Sequence, residues 1–111
     1  MFVYTVHLMI QMKNESRRQS LVFRFTMNAA NKIAPNSEYA SYAFDAETGR
    51  VYFIARDASN GFKLSKRGKR RVLTSGVFDK AVWEPLVGDE YKLLPDMKMN
   101  LYYIETARKA F

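Results

Sequence analysis

Apolar residues along this chain alternate with polar ones more often than they recur at helical spacing. Residues 2–10 (FVYTVHLMI) are β-branched and aromatic and too short for a stable helix, which predicts a strand. A polar loop over 13–20 follows, and 21–27 resumes the strand pattern. There Leu21, Phe23, Phe25 and Met27 fall on one face, with Val22 and Arg24 on the other. These two runs predict a hairpin with a long tip.

Asn28 is placed to cap a short helical turn over 29–34, which Pro35 ends because the residue before proline avoids helical angles. Strands over 38–44 and 51–55, joined by a turn at 45–49 with Gly49 at positive φ, predict a second hairpin. Asn60-Gly61 marks the next turn. Runs 62–65 and 71–74 then flank Lys66-Arg67-Gly68-Lys69 as the arms and tip of a third hairpin. From Ser75 the period changes, and Val77, Phe78, Ala81, Val82 and Leu86 recur at helical spacing. This predicts a helix over about 76–84, with Ser75 as cap, Asp79 near its start and Pro85 limiting it. Trp83 is expected to anchor that helix in the core. Pro95-Asp96 is read as a turn between strands 90–94 and 99–104. The sum is an α+β fold in a single domain, 1–111. A strongly twisted antiparallel sheet or partly closed barrel dominates it, beside one convincing helix.

Composition sharpens this picture. Hydrophobic residues make up 48% of the 111 positions, enough for a proper core. Aromatics reach 14%, and a small domain must bury most of them. Cysteine is absent, which removes disulfides and thiolate metal sites. The apolar amino terminus is too short for a membrane span of about 20 residues and lacks the pattern of a signal peptide. A cytoplasmic protein with no membrane association is the expectation.

Charge supplies the one strong functional signal. The formal net charge is +7, and six of the eighteen cations, Lys63, Lys66, Arg67, Lys69, Arg70 and Arg71, lie within nine residues. No Asp or Glu occurs from Ala58 to Phe78. Such a run repels itself by roughly several tenths of a kcal/mol per exposed pair, so it predicts a polyanionic partner. A two-stranded ribbon also fits the DNA major groove, which tips the expectation slightly toward duplex DNA over single strands or RNA. Aromatic residues on neighbouring strands, Tyr42, Tyr52 and Phe62, are candidates for stacking unpaired bases if they face outward. Arg17, Arg18 and Arg24 widen the positive surface if the first hairpin lies beside the basic one.

Signals for catalysis are poor. His7 is the single histidine, on an apolar strand without a partner at matched spacing. No phosphate loop, nucleophile elbow or paired-carboxylate motif is present, and neither metal nor cofactor is expected. The expectation is therefore a non-enzymatic nucleic-acid-binding protein. One alternative is an inhibitor-type or antidote-type module that docks its basic hairpin on an acidic protein. A third is a small metal-independent ribonuclease working through Tyr102, Tyr103 and basic side chains. A homodimer is left open.

Residues Ser65-Lys66-Arg67-Gly68-Lys69, Val72, the helix through Val82, Gly88-Asp89-Glu90 and the strand at 91–94 resemble the swapped-hairpin family of transition-state regulators and addiction antidotes. The resemblance implies a dimer that holds DNA with basic loops. That family usually places a proline just before its helix, where this chain has Thr74-Ser75-Gly76.

Overall fold

The computed structural model describes residues 4–12 and 18–106. The expected start of the first strand at 2–3, the loop at 13–17 with Arg17, and the basic tail at 107–111 lie outside them. In chain order the strands are β1 (Thr5–Met12), β2 (Gln19–Thr26), β3 (Tyr39–Asp45), β4 (Arg50–Arg56), β5 (Phe62–Lys63), β6 (Ser65–Arg67), β7 (Arg70–Ser75), β8 (Glu90–Asp96) and β9 (Leu101–Glu105). Helix α1 (Met27–Ile33) follows β2 directly, and α2 (Lys80–Trp83) runs into a 3-10 turn over Glu84–Leu86. All recorded strand pairs are antiparallel, in the order β5-β3-β4-β9-β8-β1-β2-β7-β6. The α+β fold dominated by a nearly closed sheet is therefore what forms.

Closure comes from the two ends of that order. Strands β5 and β6 are consecutive in sequence, separated only by Leu64, so one extended segment joins the first and last positions of the sheet. On one side Lys63 and Phe62 pair with Tyr39 and Ala40, and the Leu64 N–H donates to the Glu38 carbonyl at 2.7 Å. On the other side Ser65, Lys66 and Arg67 pair with Val72, Arg71 and Arg70. This seam strand covers only part of β3 and β7. Trp83 fills the wall beyond it, with its ring 5.3 Å from Tyr42, 5.8 Å from Phe44 and 5.8 Å from Phe23.

Strand alternation sets the interior. Val6, Leu8, Leu21, Phe23, Phe25, Ala40, Val51, Phe53, Leu64, Leu73, Leu93 and Ile104 are buried together in one core. Helix α1 closes one mouth of the barrel, touching β2, β4, β7 and β9. Its inner face is Ala29, Ala30 and Ile33, and the two alanines let the helix approach closely.

Four local expectations change. Thr26, still extended at the end of β2, caps α1 by accepting from the Ala29 N–H at 3.4 Å; Asn28 is already inside the helix. Ser75 is no cap but a buried member of β7, paired with Leu21, and its hydroxyl donates to the Val77 carbonyl at 3.0 Å. Asp79 caps α2 instead, accepting from the Ala81 N–H at 3.1 Å, so the predicted helix at 76–84 shrinks. Pro95 lies within β8 opposite Tyr102, not in a turn. Among the described residues, the β1 ladder of β8 runs as far as Lys92 opposite Thr5. The segment resembling a swapped hairpin is built into this barrel: β7 pairs with β2, and β8 with β1 and β9, all in the same chain.

Candidate nucleic-acid interface

The β6–β7 hairpin is short because Gly68-Lys69 is its entire turn. Gly68 adopts φ +63°, which lets the chain reverse between Arg67 and Arg70. Pairing of β7 with β2 runs from Arg70 opposite Thr26 to Ser75 opposite Leu21. Only the turn therefore extends past the sheet, and the hairpin forms a flush edge of the barrel wall. The sequence suggested a free ribbon able to enter a groove. The pairing instead presents an in-plane basic surface.

Alternation divides the six cations. Leu73 and Ser75 are buried, so Arg71 on the same side of β7 turns inward. Its Nη1 donates to the Leu64 carbonyl at 3.4 Å, while its Nε is buried without a partner. Arg71 thus tightens the seam from within, at the expense of one unpaired donor. Lys66 pairs opposite it and is exposed at the rim, as is Lys69 in the turn. Lys63, Arg67 and Arg70 lie on the outer side. Strand pairing places Arg24 of β2 next to Val72, on the same outer face. The first hairpin does lie beside the basic one, and Arg24 joins the positive surface; Arg18 is exposed at the far end of β2.

Among the described residues, one acid reaches this surface. Glu90 of β8 lies 3.4 Å from Arg70 and accepts from the Thr5 hydroxyl at 2.8 Å. These two contacts, the Thr5 bond first, hold the Glu90 carboxyl below the usual carboxylate range. Sequence reading found no acid near the basic run, since Glu90 arrives through β1, where it pairs with His7. His7 in turn pairs with Arg24 across β1 and β2. Exposed pairs of this kind contribute little to stability and leave Arg67, Lys66, Lys69 and Lys63 without an ion-pair partner among the described residues.

The three stacking candidates separate. Tyr42 faces inward, 4.8 Å from the Phe23 ring and 5.3 Å from Trp83, so it belongs to the aromatic core. Tyr52 faces outward but is 8% exposed; its ring packs on Tyr103, and its hydroxyl donates to Asp96 at 2.9 Å. Arg50 covers this corner, lying 4.1 Å over the Tyr103 ring and 3.3 Å from both Asp96 and Glu105. Tyr52 is thus closed to a base, and the Tyr42 ring is engaged by Phe23, Trp83 and Phe62. Phe62 is 37% exposed and stacks on Tyr42 at 5.7 Å, which makes it the most exposed of the three.

Sequence reading passed over a shallow groove on the outer face of β1, β2, β6 and β7. It holds about 300 Å³ and is lined by Met9, Gln11, Val22, Arg24, Arg67, Val72 and Thr74. Its signal in the sequence was the pair Val22 and Arg24 on one strand face, an apolar residue beside a cation. Among the described residues, no three of His, Cys, Asp and Glu come together as a metal site. No helix among them is long and apolar enough to cross a membrane. No protein-family model, curated protein or solved structure matches this chain.

Proposed function

We propose that the protein binds nucleic acid non-enzymatically, through backbone phosphates laid against the outer face of the β6–β7 edge. One observation carries this reading: Arg67 and Arg70 are cross-strand partners, and the β2 ladder sets Arg24 beside them on one surface. Lys63 and Lys66 continue the positive edge along the seam strand, and Lys69 caps it at the turn. Several fixed cations on one face match the regular spacing of phosphates and release condensed counterions on contact. Arg71, committed to Leu64 inside the seam, stands outside this contact set.

The test is fluorescence anisotropy of labelled duplex DNA, single-stranded DNA and RNA, from low to physiological salt. Wild type should bind at least one of them with a steep salt dependence. Arg67→Ala should reduce the slope of log K against log salt by about 0.7–0.9, the share of one phosphate contact. Arg67→Glu/Arg70→Glu should abolish binding while circular dichroism shows the fold intact. Unchanged affinity in that double variant defeats the reading. A wild type that binds none of the ligands defeats it too, and directs attention to an acidic protein partner for the same edge.

A further inference from the structure

The outer groove has a composition that phosphate contact alone does not call for. Strand register arranges its lining in rows across the sheet. Val72 of β7 faces Arg24 of β2, and in the next row Thr74, Val22 and Met9 lie side by side. Beyond them Gln11 pairs with Ser20. Four residues of β2 separate Arg24 from Ser20, about 14 Å at the usual rise of about 3.4 Å per residue. Among the lining residues, one end of the groove is therefore basic, Met9 and Val72 are apolar, and Gln11 at the other end is neutral and hydrogen-bonding. Val22 faces outward but is only 2% exposed, so it lies beneath the groove, and the partly exposed apolar residues of the lining are Met9 and Val72. None of the seven lining residues is acidic.

We propose that this groove holds one unpaired nucleotide of a single-stranded nucleic acid. The base lies over Met9 and Val72, its edge meets Gln11 and Thr74, and its flanking phosphate meets Arg24 and Arg67. The proposal rests on the nucleic-acid reading above and narrows it to single strands. A volume of about 300 Å³ lies at the lower limit of small-molecule sites, the scale of a single monomer unit. Chemistry selects the occupant. A base offers a flat apolar face together with donors and acceptors on its edge, and guanidinium groups stack on such faces as well as bind phosphate. The glutamine amide supplies both a donor and an acceptor, and the threonine hydroxyl does the same. A carboxylate side chain of an acidic protein would satisfy the arginines and leave the apolar floor uncovered. In a duplex the base faces are already stacked and cannot lie on Met9 and Val72.

The decisive experiment uses the protein with its methionine methyl groups labelled with carbon-13, titrated with pentathymidylate and separately with a short blunt duplex. Met9 lies in the groove, while Met97 and Met99 are exposed on the turn after β8 and serve as internal controls. The Met9 methyl resonance should shift with the single strand and not with the duplex, and the two controls should stay in place. Gln11→Ala/Thr74→Val, both exposed positions, should weaken pentathymidylate about tenfold, the scale of one or two lost hydrogen bonds. The same variant should leave duplex affinity within about twofold, because the phosphate contacts remain. A Met9 signal that stays put while Arg67→Glu/Arg70→Glu still abolishes binding overturns the nucleotide pocket and spares the phosphate reading. A preference for duplex over single strand overturns it equally. Absence of binding to any nucleic acid removes both.

Discussion

Phe53 sits on β4 with its ring 5.4 Å from Phe23 and 5.2 Å from Phe25, edge-to-face in both cases. Phe53→Ala should therefore cost about 3–5 kcal/mol in urea unfolding, combining lost transfer energy with a cavity ringed by aromatics that cannot collapse. Asp96 makes a second, pH-dependent prediction. The Met99 N–H donates to it at 3.1 Å, the Tyr52 hydroxyl at 2.9 Å and the Lys98 N–H at 3.0 Å, with Arg50 nearby. Led by the Met99 bond, these contacts hold its carboxyl below the ordinary value of 3.8. A depressed carboxylate adds stability above its unfolded pKa and loses it as pH falls through its native one. The urea midpoint should drop on acidification below about pH 4, and Asp96→Asn should remove part of that dependence. At this scale the sequence is legible where alternation decides: Leu21, Phe23 and Phe25 are buried as their spacing implies. It is not legible for Tyr52, which faces outward and yet is closed off. Arg50, Tyr103 and Asp96 assemble over it from three strands.

The β6–β7 hairpin is an element whose geometry depends on one residue. A Cβ added at Gly68 would meet nothing within 4 Å, so the penalty for a side chain there is purely that of φ +63°. Gly68→Ala should cost about 1–2 kcal/mol by denaturant unfolding, and Gly68→Asn less, since asparagine tolerates left-handed angles. Both variants keep every cation of the edge. Hairpins and their alternating faces were readable from turn residues and period. Helix boundaries were not, because tertiary pairing moves them. Ladder bonds to β2 hold Ser75 in β7, which pushes the start of α2 to Asp79. Extended backbone persists to Thr26, so the helix cap falls two residues earlier than Asn28. Pro95 reads locally as a break, yet it lies inside β8 opposite Tyr102.

For the molecule as a whole, the side chain that completes the wall is the single tryptophan. Trp83 is 6% exposed and touches rings on β2 and β3, so its emission reports the side of the barrel that no strand covers. Its fluorescence should be blue-shifted, resist acrylamide quenching, and change with urea at the same midpoint as far-UV circular dichroism. An earlier fluorescence transition would mean that α2 peels away before the sheet opens. A partly closed barrel was among the forms read from the sequence, but the place where it closes was not. Local patterns predict strands and hairpins, whereas the meeting of β5 and β6 at opposite ends of the sheet order depends on twist accumulated over every strand between them. The seam also gives the basic edge a mechanical meaning. Lys63 belongs to the half of the segment bonded to β3, and Arg67 to the half bonded to β7. Under the proposed function, a polyanion gripping both would act as a splint across the join, and should slow amide hydrogen exchange at Leu64 and suppress tryptic cleavage along the strand. Occupancy of the surface and the breathing of the barrel would then be one equilibrium seen from two sides.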